Sequence, residues 1–432
     1  MTRLRTVAIP AVLAVLSMPT TALAGPAYTT PVDSSDRWPL AKPEQEQIDG
    51  KALNALFAEL VTDPHKDLKG IVILRHGKLV AEAYFNGDDA NTLHDIRSAT
   101  KSITAALMGI AIDRGIINSV DDSIADYLPG LPRDGKEKIS IRNLLNMRSG
   151  LDADDGDPAS RGNETRLDNS TDWMKSVYAV PMKRQPGTKY VYVSINAFLA
   201  GAIIENASRI RLDEFAKQNL FFPLGIARYE WRRVPIDRTT GQGNLSITAR
   251  DEAALGQLFL QQGQYHDRQV VSRVWVEQCV AGQVPISADD PDTDYHGYMW
   301  YTKTETVGDR SIPVHLASGN GGNKIYVVPS LDMVVAITSS AYNQPYRHTR
   351  SHDILLKVLS ATHRSRRPPN QDSCCFSRNE LLVGLPTAER SEDRDHRTSS
   401  NCLLSRFARV VYARGTLMNA LVRVASFAFH GG

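Results

Sequence analysis

DIRSATKSITAALMGIAIDRG, residues 95–115, carries the reading of the fold. Apolar residues at Ile103, Leu107, Ile110 and Ala111 follow a helical period and predict an amphipathic helix. Ser98 and Lys101 stand at its start, three residues apart. Three residues turn a helix by about 300°, so both side chains point to one side. A serine hydroxyl needs a base to become a nucleophile. An ammonium cannot serve, but a lysine can if desolvation and neighbouring positive charge lower its pKa. The helix N-terminus also offers N–H groups to a developing oxyanion. Ser-x-x-Lys, present once in this chain, is thus a unit suited to covalent acyl transfer. A capping serine followed by a surface lysine would give the same letters.

Outward from this helix the pattern alternates. EQEQIDGKALNALFAELVTD (44–63) has helical spacing, and GIVILRHGKLVAEAYFN (70–86) reads as two strands around a His-Gly turn. A long helix-and-loop region extends to about 235, followed by a helix in ITARDEAALGQLFLQQG. IPVHLASGN and KIYVVPSLDMVVAITSS supply three strands, and SHDILLKVLSAT closes with a helix. This order predicts an α+β fold. Terminal strands join in one antiparallel sheet flanked by helices, with a mostly helical insert alongside. A cleft between sheet and insert is the expected site.

The chain has 432 residues and a formal net charge of +2, enough for a sizeable core and without the basic excess that nucleic-acid binding needs. Residues 1–24 resemble a secretory signal: Arg3 and Arg5, an apolar run Ala8–Met18, then Ala22-Leu23-Ala24 as a cleavage pattern. An uncleaved anchor is the alternative, but the run is shorter than the roughly 20 residues that span a bilayer. The expectation is a periplasmic or secreted protein with no stable membrane span after cleavage. Residues 25–43 read as a linker and 44–362 as the folded domain. The tail, 363–432, holds eleven Arg, no Lys and three of the four cysteines, and reads mainly as disordered. Its last segment reads alternatively as a basic helix lying on a membrane surface.

Several stretches together resemble one family. RSATKSITAALMGIAIDRG is similar to the nucleophile helix of the serine β-lactamase and penicillin-binding-protein superfamily. The closer likeness is to its class C, esterase and aminohexanoate-dimer hydrolase branch. ISIRNLLNMRSGLD (139–152), PGTKYVYVSINAFLAG (186–201), NLSITARDEAALGQLFLQQGQYHDRQVV, YHGYMWY and ASGNGGNKIYVVPSLDMVVAIT resemble further segments of that branch, in the same order over roughly 44–360. The resemblance implies Ser98 as the acylated serine, Lys101 as its base partner and Tyr192 as a proton relay. It also implies that the N–H groups of Ser98 and Asn320 form the oxyanion hole. Ser194, Ala317, Ser318 and Gly319 then fall at substrate-binding positions, and Asn196 reads as a helix cap.

Two departures bear on substrate. Ser194 replaces the asparagine that holds a substrate amide in β-lactamases. Ala317-Ser318-Gly319 lacks the cation that usually opens this box; Lys324 reads as a strand-end surface lysine, with replacement of that cation as the alternative. The glycines 319, 321 and 322 suit close backbone approach or a simple hairpin turn. No Gly-x-Ser-x-Gly elbow, zinc helix or phosphate loop is present, and the eleven histidines show no ligand spacing, so no cofactor or metal is implied. The expectation is an exported serine hydrolase of small ester or amide substrates, working through an acyl-enzyme, with nothing to set its oligomeric state. A weak β-lactamase or D-amino-acid peptidase, and a non-catalytic sensor or scaffold, are the alternatives.

Overall fold

The computed structural model describes residues 37–362, apart from 236, 237 and 291. The signal-like segment 1–24, most of the linker and the tail 363–432 lie outside the described residues. The end of the supposed linker is packed chain. Trp38 and Ala41 are buried in the core, and Leu40 bridges to Leu79.

An eight-stranded antiparallel sheet organises the molecule. Its spatial order is Val284–Pro285, Tyr295–His296, Tyr301–Val307, Arg310–Gly319, Asn323–Val328, Met333–Ser339, Leu68–Arg75 and Lys78–Tyr84. The first long strand of the chain therefore pairs with the last, Ile73 standing opposite Val335. The His76-Gly77 turn has positive φ at both residues, 50° and 70°, as a two-residue hairpin requires. Asn323–Val328 and Met333–Ser339 are buried at every residue, which means that both faces of the sheet are covered. Helix Ala249–Leu260 covers one: Val334 and Ile325 crowd the bare Cα of Gly256. Helices Gly50–Val61 and Arg347–Ser360 pack on each other, and the latter packs on the strands Tyr301–Val307 and Asn323–Val328.

The helix Thr100–Asp113 is not amphipathic, as its apolar spacing suggested. Every residue from Thr100 to Ala111 is buried, so it is a central helix clothed on all sides. Its polar residues are satisfied from neighbouring segments. Ser102 Oγ donates to the carbonyl of Met299 (2.5 Å) and Thr104 Oγ1 to that of Gly241 (2.6 Å). Trp275 lies flat against Gly109, and its Nε1 donates to the carbonyl of Ala105 (2.9 Å). The insert contributes helix Ser194–Ser208, which packs along this central helix. The site lies at the N-terminal end of the central helix, where insert, sheet and C-terminal helix meet.

Candidate active site

Ser98 sits in a tight turn, Arg97–Ala99, immediately before the central helix. Arg97 adopts φ 51°, an unfavourable conformation for a residue with a side chain. Local bonds hold the turn in place. Asp95 Oδ1 accepts from the Arg97 N–H (2.8 Å), Asp95 Oδ2 from Asn244 (3.0 Å), and the Arg97 guanidinium stacks on Tyr342. The result presents Ser98 at a cleft of about 590 Å³. Tyr192, Ser318, Gly319 and Asn320 line the same cleft, together with Asp155, Glu164, Arg347 and His348. A second cavity of about 550 Å³, walled by Arg37, Phe222 and Tyr265, contains none of these groups.

Lys101 is almost fully buried. Its Nζ donates to Ser98 Oγ (2.9 Å) and to the carbonyl of Gln242 (2.8 Å), and it lies 5.2 Å from the centre of the Tyr192 ring. Burial pushes its pKa down, but Tyr192, Glu164 and Asp155 outweigh this and hold it above the ordinary lysine value. The sequence expectation of a lysine with a lowered pKa is therefore reversed. The charges around it are negative rather than positive and favour its ammonium form, which points at the Ser98 hydroxyl.

Asp155 and Glu164 carry no signature in the sequence, yet they shape this environment. Asp155 Oδ2 accepts from the Ser194 N–H (2.6 Å) and Oδ1 from the Glu164 N–H (2.9 Å), while the Asp155 N–H donates to the carbonyl of Tyr192 (3.2 Å). Burial, then the Glu164 charge, push the Asp155 carboxyl above its usual range, against the pull of Lys101 and the Ser194 N–H. Gln242 was equally invisible, because its contribution is a backbone carbonyl.

Two expected binding residues fall elsewhere. Ser194 is the first residue of its helix, fully buried and away from the cleft; its backbone anchors Asp155 instead of its side chain holding substrate. Asn196 is consequently inside that helix rather than its cap, with Nδ2 against the sulfur of Met147 (3.6 Å). Ala317 is also fully buried. It shares its strand face with Gly319, where an added Cβ would lie 2.1 Å from the Ile96 carbonyl, so this face packs on the turn that carries Ser98. Gly319 does line the cleft, and only a glycine fits there. Lys324 is not a surface lysine: it is buried, and its Nζ donates to Ser318 Oγ (2.7 Å).

The Beta-lactamase family profile matches residues 53–359. The 6-aminohexanoate-dimer hydrolase of Paenarthrobacter ureafaciens is 26% identical over 322 residues, 67% of this chain and 77% of that protein. A Bacillus anthracis structure assigned as a 6-aminohexanoate-dimer hydrolase superposes with a TM-score of 0.61 at 20% identity, over 70% of this chain and 80% of the other. A class C β-lactamase superposes with a TM-score of 0.55 at 16% identity, over 72% and 95%. Sheet, central helix and family profile agree over the same residues, and the chain is a serine hydrolase that belongs to the Beta-lactamase family.

Proposed function

We propose that this protein hydrolyses small ester or amide substrates through an acyl-enzyme on Ser98. The observation that carries the proposal is the 2.9 Å bond from the Lys101 ammonium to Ser98 Oγ at the edge of the cleft. An ammonium donates protons and does not accept them. Lys101 therefore stabilises negative charge growing on Oγ, and Tyr192, entering the step as a phenolate beside that ammonium, takes the serine proton. Oγ attacks the carbonyl carbon. The N–H groups of Ser98 and Asn320 receive the oxyanion. Tyr192 returns its proton to the leaving alcohol or amine as the bond to it breaks. Water then attacks the acyl carbon, the acid departs and the Ser98 hydroxyl is restored.

The name of the Paenarthrobacter ureafaciens relative supports a linear amide among the substrates. The signal-like residues 1–24 support export to the periplasm or medium. Among the described residues no helix is long and apolar enough to cross a membrane. The test is turnover of a short 4-nitrophenyl ester, a linear ω-amino amide and a chromogenic cephalosporin by the purified protein. Ester or amide turnover well above cephalosporin turnover is expected. A preference for the cephalosporin would replace this reading with a β-lactamase, and turnover of none of them would point to a non-catalytic role.

A further inference from the structure

Ser318 and Lys324 are register partners on neighbouring strands, and the lysine approaches the hydroxyl from behind the cleft wall. Ser318 lines the cleft, whereas Lys324 is 5% exposed and does not. Since an ammonium has only donors, Ser318 Oγ must accept the Lys324 bond and send its own proton elsewhere. Among the described residues Ser318 Oγ has no other hydrogen-bond partner, so the cleft is the open direction. Arg347 lines the same wall. It donates to the Gln344 carbonyl (2.8 Å), its buried Nε has no partner, and it makes no ion pair among the described residues.

We propose that Lys324 is the specificity-determining cation of this site, a positioning residue that turns the Ser318 hydroxyl into a charge-backed donor and, with Arg347, selects substrates bearing a carboxylate. This deepens the reading of an acyl-enzyme on Ser98 and rests on it. It also changes what the absence of a cation at Ala317 means. The positive charge has moved one strand over and acts through a hydroxyl rather than directly.

The arrangement carries its own pH dependence. Burial pushes the Lys324 pKa down to about 8, with Asp290 and Asp292 opposing the shift and Lys303 and Arg347 adding to it. His348 packs on the same wall, and burial, Lys324 and Arg347 lower its pKa to about 3, so it is neutral throughout the range of interest. Above pH 8 the amine loses its charge and becomes an acceptor for the Ser318 proton. The donor then turns away from the cleft. A substrate carboxylate stays ionised across this range, so a change in its recognition reports on the protein.

The experiment uses two matched pairs. Mono(4-nitrophenyl) glutarate and its methyl ester place the carboxylate in the acyl part; 4-carboxyphenyl butyrate and its methyl ester place it in the leaving group. The readout is the acid-to-ester ratio of kcat/KM between pH 6.5 and 9.5, in which titrations affecting Ser98 chemistry cancel. In at least one pair, the wild-type ratio at pH 7 should exceed that of Lys324→Met by about tenfold, the scale of one partly solvated ion pair. It should fall as pH passes 8 and stay level in Lys324→Arg, whose charge is permanent. Ratios unchanged by Lys324→Met in both pairs, a flat wild-type ratio, or the same fall in Lys324→Arg would overturn the proposal. Fluorophosphonate labelling of Ser98, followed in each protein, keeps the two levels apart. Failure to label the wild type removes the acyl-enzyme reading itself, and labelling with invariant ratios removes only the role of Lys324. If Lys324→Met does not fold, the wild-type pH series decides.

Discussion

Lys101 Nζ lies 2.9 Å from Ser98 Oγ and 2.8 Å from the carbonyl oxygen of Gln242, so two of its three protons are committed before substrate arrives. The bond to Gln242 ties the central helix Thr100–Asp113 to the loop Thr240–Gly243. Trp231 Nε1 grips that loop at the carbonyls of Thr240 (2.8 Å) and Gly243 (3.2 Å). The Lys101 amine beside Ser98 is thus held by a support outside the cleft lining.

The negative charge around Lys101 has a consequence for the pH profile. Glu164 and Asp155 help to hold the ammonium above the ordinary lysine value. Glu164→Gln should weaken that support and move the alkaline limb of kcat/KM to lower pH. The check is a pH–rate profile on a neutral ester. An alkaline limb that does not move would detach Glu164 from Lys101.

Gly109 lies inside the central helix, where alanine would ordinarily gain about 1 kcal/mol. Here an added Cβ would lie 2.2 Å from the Trp275 ring. That ring is itself fixed by its bond to the Ala105 carbonyl and cannot retreat cheaply. Overpacking of this kind costs about 1–3 kcal/mol, so the clash reverses the sign. Gly109→Ala should lower Tm by several degrees; an unchanged or raised Tm would mean that the indole moves freely.

Glu252 is fully buried on the helix Ala249–Leu260, and neither carboxyl oxygen has a partner among the described residues. Burial, then the neighbouring Asp251 charge, push its pKa well above the usual carboxylate range. The folded state therefore keeps a proton that the unfolded chain releases near pH 4.5. Stability should fall as pH rises above that value and go on falling until the folded-state group ionises, by up to about 1.4 kcal/mol per pH unit. Glu252→Gln keeps the shape without the titration. Its denaturation free energy should match wild type near pH 4 and exceed it at pH 7 to 8. Parallel pH curves for the two proteins would contradict this.

The fold was legible where chemistry is local. The hairpin at His76-Gly77, the apolar runs of the central strands and the Ser98–Lys101 spacing each depend on neighbours a few residues away. The rest depends on partners brought together by the fold. Lys101 meets Gln242 across 141 residues of sequence, and a carbonyl oxygen leaves no mark on residue type. Asp155 and Glu164 are two carboxylates in an acidic loop until the Ser194 N–H and Lys101 give them a place. Apolar spacing suggested one buried face for the central helix, because Ser102 and Thr104 look solvent-facing until their carbonyl partners are known. Lys324 looked like a surface residue, because strand register alone puts it against Ser318.

The claim at the centre is that Ser98 is the covalent nucleophile. Intact-protein mass spectrometry after incubation with a fluorophosphonate tests it directly, with peptide mapping to locate the adduct. One adduct per chain, on Ser98, is expected. Ser98→Ala should acquire none and fall below about a hundredth of wild-type turnover at an unchanged Tm, because covalent catalysis has no substitute for that hydroxyl. An adduct on another residue, or a folded Ser98→Ala protein that keeps most of its activity, would contradict it.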